Sequence, residues 1–139
     1  MLNENFNSFL SYMYSLIRRI SSHNNLSISQ YFTIQSITKD GLSMSDLSLI
    51  LGIDNSTLTR NINILIKEGL VTKEKSIFDR REHIILLTRD GYLILKKLDV
   101  QFNNQLNDIF SCITSDERNN LINSIEKVNW KLNCKINDV

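Results

Sequence analysis

The chemistry that this sequence could carry is concentrated between Asn55 and Lys97, where basic side chains accumulate. This stretch holds nine lysines and arginines against five aspartates and glutamates, a net charge of +4, while the rest of the chain has a net charge of −3. Clustered cations attract phosphates and displace their counterions, which indicates a nucleic-acid partner. An ordinary solvated surface would give the same charge balance. The arrangement of side chains on each predicted helix and strand is therefore needed to distinguish a nucleic-acid interface from such a surface.

A helix predicted from Asn55 to Glu68 sorts these side chains onto opposite faces. One face is an apolar stripe that we expect to pack inward: Leu58, Ile62, Leu65 and Ile66. The other face has hydroxyl, amide and cationic groups and no carboxylate, which suits phosphates and base edges: Ser56, Arg60, Asn63 and Lys67, with Thr59 beside them. Ile64 also lies away from the apolar stripe, and it either packs under a flanking strand or contacts a thymine methyl group.

Signals at the helix ends predict a second, shorter helix immediately before this one. Ser43 can cap its N-terminus with Asp46 at the third helical position, and Gly52 ends it. Asp54 can then cap the helix that begins at Asn55, and Gly69 supplies the left-handed position that stops it. Two helices joined by so short a glycine-containing turn form a helix-turn-helix motif.

A hairpin with a charged tip follows the second of these helices. Strand-forming residues at 70–75 and 83–87 flank the segment 76–82, in which the last four residues are charged. The second helix of a helix-turn-helix motif is its recognition helix, and a hairpin beside that helix is a wing. An arginine at the tip of a wing can enter the minor groove, where negative potential is concentrated.

These residues resemble the MarR family of bacterial transcriptional regulators. The wing signature of that family is similar to Asp79-x-Arg81-x-x-x-Ile85-x-Leu87-Thr88-x-x-Gly91, with isoleucine at position 85 where the family more often has valine. The family's recognition helix is similar to Asn55-Ser56-Thr57-Leu58-Thr59-Arg60 followed by Lys67-Glu68-Gly69-Leu70-Val71, and the preceding helix matches at Leu26-Ser27-Ile28-Ser29-Gln30-Tyr31-Phe32. The resemblance thus covers most of the chain in the right order.

The resemblance implies a homodimeric repressor that occupies a pseudo-palindromic operator in double-stranded DNA. The recognition helix would lie in the major groove, with these residues nearest the bases: Ser56, Thr57, Thr59, Arg60 and Asn63. Phosphates would be bound by Lys67, Lys73, Lys75 and Arg80. Arg81 would enter the minor groove, and Asp79 would hold the wing and orient Arg81 through an ion pair.

The remaining elements are predicted from apolar spacing and capping boxes. The first helix ends near residues 21–25, and Ser27-x-x-Gln30 opens a second that runs to about Lys39. A short strand at 42–43 is expected to join the wing. Thr88 caps a long helix from about Arg89 to Cys112, and Thr114-x-x-Glu117 opens the last one. The expected fold is mainly α with a small β wing, in the order helix, helix, short strand, helix, helix, strand, strand, helix, helix.

Long apolar stripes on the first and last helices exceed what one small winged core can cover, which favours a dimer. The expected dimerisation residues are Phe6, Phe9, Leu10, Met13, Leu121, Ile125, Val128 and Leu132. We expect one MarR-like unit over residues 1–139, with a winged helix-turn-helix lobe at 26–97 and helical dimerisation regions at 1–25 and 98–139.

The sequence offers no constellation for an enzyme. It contains neither a nucleophile elbow nor a glycine-rich phosphate loop, and its two histidines belong to no metal-ligand spacing, so neither metal nor cofactor is expected. With 42% hydrophobic and 22% charged residues, the composition is that of a soluble globular protein. No apolar run is long enough for a membrane span or signal peptide, so we expect a cytoplasmic protein with no membrane partner.

Other interpretations stay open at this stage. A winged helix can act as a protein-interaction module without binding DNA. A regulator could instead respond to oxidation through Cys112 and Cys134, although such thiols are more often buried small hydrophobes. MarR-type proteins often bind small aromatic or phenolic effectors, and a cleft for one could be lined by four aromatic residues and a methionine, although such residues at helical spacing are more often plain core: Tyr12, Met13, Tyr31, Phe32 and Trp130.

Overall fold

The helices and strands follow one another in the predicted order in the computed structural model, which describes residues 1–77, 79 and 81–137. The bounds are α1 Leu2–His23, α2 Ile28–Ser36, β1 Leu42–Ser43, α3 Met44–Leu51, α4 Asn55–Lys67, β2 Val71–Lys75, β3 His83–Leu87, α5 Arg89–Ile109, a 3-10 turn Phe110–Cys112, and α6 Ser115–Asn137. The winged helix-turn-helix fold expected from the sequence is therefore confirmed.

Side-chain caps fix the starts of α2, α3 and α4, as their sequence signals predict. Ser27 and Gln30 form a reciprocal capping box at α2. The Ser43 hydroxyl accepts from the backbone N–H of Asp46, 3.0 Å away, at the start of α3. Each such bond satisfies a backbone donor that the helix itself leaves unpaired, so these short helices begin at defined residues.

α2 ends earlier than predicted, at Ser36 instead of about Lys39. Ile37 leaves the helix in an extended conformation, with φ −72° and ψ 119°, and its side chain is buried in the core. The next residues form a turn in which the amide of Gly41 donates to the carbonyl of Thr38 and the Thr38 hydroxyl donates to the carbonyl of Gly41. Burial of Ile37 and this local turn together outweigh another helical turn.

The three strands form one antiparallel sheet in the order β1-β3-β2. The register sets Leu42 opposite Ile85 and Lys75 opposite His83. On β2 only Val71 is buried, and the other four residues of that strand are exposed. The hairpin of β2 and β3 therefore extends beyond the core.

The core joins both helices of the motif to the sheet and to neighbouring helices. Its buried apolar members are Ile20, Leu26, Tyr31, Ile34, Ile37, Leu47, Leu58, Ile62, Leu65, Val71, Ile85, Leu87 and Leu98. The prediction that Ile66 packs inward is wrong, because its side chain is 39% exposed. The buried face of α4 is completed by Asn61 instead, which is 8% exposed.

A close contact joins the start of α5 to the end of α4. The Thr88 hydroxyl donates to the Gly69 carbonyl at 2.6 Å and accepts from the amide of Gly91 at 3.0 Å. The amide of Thr88 donates to the carbonyl of Leu70. A Cβ atom at position 91 would lie 2.0 Å from that carbonyl oxygen, so only glycine fits there.

The chain divides into two units, residues 1–102 and 103–139. In the second unit α6 has no buried residue in the part that the structure describes. Its capping box is present, since Thr114 and Glu117 bond each other's backbone amides. Leu121 is half-buried, whereas Ile125, Val128 and Leu132 are about half exposed. In the first unit Phe6, Phe9 and Leu10 of α1 are similarly exposed and Met13 is half-buried.

Candidate nucleic-acid interface

The outer face of α4 and the hairpin hold the candidate contacts in solvent. Every predicted DNA-binding residue that the structure describes is exposed: Ser56, Thr57, Thr59, Arg60, Asn63, Lys67, Lys73, Lys75, Asp79 and Arg81. Arg80 lies outside the described residues. Within residues 1–77, 79 and 81–137, the only ion pair joins the N-terminal amine to Glu4. The cations of this face are thus not neutralised by described carboxylates.

The N-terminal cap of α4 occupies the hydrogen-bond donors of two of these hydroxyls, those of Ser56 and Thr57. One oxygen of the Asp54 carboxylate accepts from the Thr57 amide at 2.8 Å and from the Ser56 hydroxyl. Its other oxygen accepts from the Thr57 hydroxyl at 2.8 Å. The hydrogen bonds from Ser56 and Thr57 hold the pKa of Asp54 well below its usual range, so this cap stays ionised at neutral pH.

This network changes the chemistry expected of Ser56 and Thr57. A hydroxyl has one proton to donate and two lone pairs to accept with. Because both protons are directed at Asp54, the lone pairs remain for an outside partner. The two hydroxyls are therefore suited to accept from base amino groups, more than to donate to phosphates.

Asn61 is the residue of this site that sequence reasoning missed. It is buried on the inner face of α4, and its amide donates to the Ser29 hydroxyl of α2 at 2.5 Å. The available signal was a polar residue inside an apolar stripe, three residues after Leu58 and four before Leu65. On the outer side Ile64 is 38% exposed, which leaves both interpretations of this residue open.

Hydrogen bonds within the turn shape the tip of the hairpin. The amide of Ser76 donates to the Glu82 carbonyl, and the amide of Glu82 donates to the Asp79 carbonyl. The Asp79 carboxylate accepts from the backbone amide of Arg81 at 2.9 Å. In the described part of the chain this backbone bond replaces the ion pair expected between the Asp79 and Arg81 side chains. The Arg81 guanidinium is consequently left exposed.

The five residues considered for an effector cleft differ in their exposure to solvent. Tyr31 is core, and Tyr12 and Trp130 are largely exposed. Met13 and Phe32 line an open groove of about 580 Å³ together with Leu10, Tyr14 and Ile17. Two of the five candidates therefore meet at one predominantly apolar groove in the first unit.

The cysteines are not the buried hydrophobes expected. Cys112 is exposed and donates to the Ile109 carbonyl in its own turn, and Cys134 is half-buried. No cluster of three metal-ligating side chains occurs within residues 1–77, 79 and 81–137. Over the same residues, no helix has both the length and the apolar character required to cross a membrane.

Comparisons with known proteins agree with this geometry. Residues 24–82 match the profile of the MarR family. PrsX, an HTH-type transcriptional regulator of Escherichia coli, is 32% identical over 70% of this chain and 57% of its own length. A Thauera aromatica protein named as the transcriptional regulatory protein for the hcr operon is 26% identical over 80% of this chain and 68% of its own length. The fold is similar to the crystal structure of MarR, with a TM-score of 0.85, 21% identity, and coverage of 100% of this chain and 95% of MarR.

Proposed function

We propose that this chain is a transcriptional regulator of the MarR type and not an enzyme, and that it represses transcription as a sequence-specific DNA-binding homodimer; the match of residues 24–82 to the MarR family supports this. The observation that carries this proposal is the outer face of α4. It is exposed, has no carboxylate between Asn55 and Lys67, and lies beside a hairpin that bears further exposed cations. A protein-interaction module would more typically present apolar side chains there, and Ile64 is the one apolar residue in the middle of that exposed face.

In the proposed complex α4 lies in the major groove, as recognition helices of this motif do. Arg60 and Asn63 bond base edges, and Lys67, Lys73 and Lys75 bind phosphates. Arg80 would serve the same purpose. Arg81 enters the minor groove from the tip of the hairpin, where a guanidinium is favoured by the negative potential.

Two such subunits would read a pseudo-palindromic operator. Exposed apolar faces on α1 and on α6 support a homodimer, since each lacks a cover within its own unit. Recognition helices related by two-fold symmetry contact half-sites about one helical turn apart. Occupation of such a site would block transcription.

A small aromatic or phenolic effector is proposed to bind in the groove lined by Leu10, Met13, Tyr14, Ile17 and Phe32. Its volume and its apolar side chains suit a single-ring ligand. We expect Phe32→Ala to weaken binding of a single-ring phenolic probe such as phenol, measured by calorimetry, and Tyr92→Ala, an exposed aromatic position of α5 outside the groove, to leave binding unchanged. Equal affinity of both variants would remove the groove from the proposal.

A salt-titrated gel shift with the DNA upstream of the gene tests the central proposal. The double variant Lys73→Ala/Lys75→Ala should lower the slope of log affinity against log salt by about 2, since each phosphate contact contributes about 0.9. The matched control is Lys127→Ala/Lys131→Ala on α6, which removes the same charge and should keep the slope. Affinity that does not change with salt, or no shift at all, would contradict DNA binding and favour the interaction module.

A further inference from the structure

The recognition helix is held against the core mainly by contacts that have no preferred direction. Leu58, Ile62 and Leu65 are completely or almost completely buried, with exposed fractions of 0%, 1% and 0%. Apolar contacts of this kind scale with area and tolerate small sliding or rotation. They keep α4 on the core but do not by themselves fix its rotation about its own axis.

A directional contact lies at the edge of this apolar face. The amide nitrogen of Asn61 donates to the hydroxyl of Ser29, which belongs to the first turn of α2. α2 is itself anchored by the capping box of Ser27 and Gln30 and by the buried residues Tyr31 and Ile34. Asn61 thus ties α4 to a neighbour whose own start is fixed.

Because of the position of Asn61 on the helix, this hydrogen bond affects where the side chains of the outer face lie. Successive helical residues are about 100° apart, so Asn61 is the buried residue adjacent to Arg60 around the helix. A helix with its side chains is about 10–12 Å wide, so a rotation of about 10° displaces an outer side chain by about 1 Å. A displacement of that size breaks the geometry of a base-edge hydrogen bond.

We propose that Asn61 is a positioning residue that sets the rotation of α4, and through it the sequence preference of Arg60 and Asn63. This inference rests on the proposed function. Stability alone would be served as well by apolar side chains at both positions, because replacing both partners of a buried hydrogen bond by apolar groups of similar shape can be nearly neutral. The role of the hydrogen bond between Asn61 and Ser29 is therefore to fix the rotation of α4 about its own axis.

The test compares preference for one DNA sequence with affinity for any DNA. The probes are a duplex that the unmodified protein selects from a randomised pool and a scrambled duplex of the same composition. In Asn61→Leu and in Ser29→Ala the ratio of the two affinities should fall about tenfold, the loss expected when one base contact is misplaced. Affinity for the scrambled duplex should stay within about twofold, because phosphate contacts supply it.

Matched variants separate positioning from a structural defect. Ser29→Thr keeps a hydroxyl and should recover most of the preference, whereas Ser36→Ala removes a hydroxyl that bonds within α2 and should change nothing. The double variant Asn61→Leu/Ser29→Ala should be no worse than either single one, since both remove the same bond. If Asn61→Leu does not fold, the affinity ratio of Ser29→Ala alone tests whether this hydrogen bond sets sequence preference.

The outcomes distinguish this inference from the function on which it rests. A folded Asn61→Leu or Ser29→Ala protein with an unchanged affinity ratio overturns the positioning role while DNA binding stands. The role is also overturned if Ser36→Ala lowers the ratio as much as Ser29→Ala. If the unmodified protein selects no sequence from the pool, the proposed function fails and the inference fails with it.

Discussion

Arg60 and Arg81 lie on different elements, and we expect them to read different features of DNA. Arg60 is exposed on α4, where a major-groove guanidinium can bond guanine in bidentate fashion. Arg81 is exposed at the hairpin tip, and its backbone, not its guanidinium, is bonded by Asp79. The minor groove distinguishes mainly A·T from G·C and differs in width, so it offers Arg81 less sequence information.

Arg60→Ala should cost about 1–3 kcal/mol of binding free energy and relax preference at one base position in each half-site. The measurement is a competition assay with operators substituted one base pair at a time. Arg19→Ala on α1 removes the same charge and should leave the preference profile unchanged. A uniform loss at every operator would reduce Arg60 to a phosphate contact.

Arg81→Ala should weaken binding to most sites and lower any preference for A/T-rich flanks, and Arg81→Lys should restore only part of the affinity. An ammonium is more strongly hydrated than a guanidinium and lacks its planar shape, which disfavours it in a narrow groove. Asp79→Ala should behave differently, because Arg81→Ala keeps the amide that Asp79 bonds. Binding of the three variants, with and without A/T-rich flanks, checks this. Equal effects of Asp79→Ala and Arg81→Ala with unchanged flank preference would refute the minor-groove assignment.

Among the elements, the contact between α5 and the end of α4 depends on Gly91. A methyl group at position 91 would overlap the Leu70 carbonyl, which belongs to the backbone and cannot rotate away as a side chain can. Gly91→Ala should therefore destabilise the fold by about 1–3 kcal/mol or more, as overpacking does. Urea unfolding of the variant measures this. Asp90→Ala, one position earlier at an exposed site, is the matched control and should stay within about 0.5 kcal/mol of the unmodified protein. An unchanged midpoint in Gly91→Ala would show that the contact can open without cost.

Sequence reasoning succeeded where an element is specified by residues close to one another in the chain. The caps at Ser43, Asp54 and Thr88 each bond an amide three residues further on, so spacing alone reveals them. It failed where a distant neighbour decides. Asn61 is buried because Ser29, 32 positions earlier, supplies its partner. Periodicity likewise could not show that the core stops short of Ile66.

At the scale of the whole molecule, the exposed apolar faces of α1 and α6 predict that the protein is a dimer at micromolar concentration. Ile125→Asp/Leu132→Asp should give monomers or aggregates, because burying unpaired charges at an interface is costly. Light scattering measures the mass. Asn120→Asp/Asn123→Asp adds the same charge at exposed polar positions of α6 and should remain dimeric. A well-behaved monomer of the unmodified protein would contradict the proposal.

The Asp54 cap gives the proposed complex a sensitivity to chemical marks on DNA. With their protons held by Asp54, the hydroxyls of Ser56 and Thr57 can only accept, and the donors in the major groove are the amino groups of adenine and cytosine. In adenine N6-methylation and cytosine N4-methylation, the methyl group takes the place of the outward hydrogen on those groups. We expect such a mark at the bases beneath Ser56 and Thr57 to lower affinity several-fold, and Ser56→Ala to blunt the effect. Binding to operators methylated at one position at a time checks this, and indifference at every position would show that neither hydroxyl reads a base.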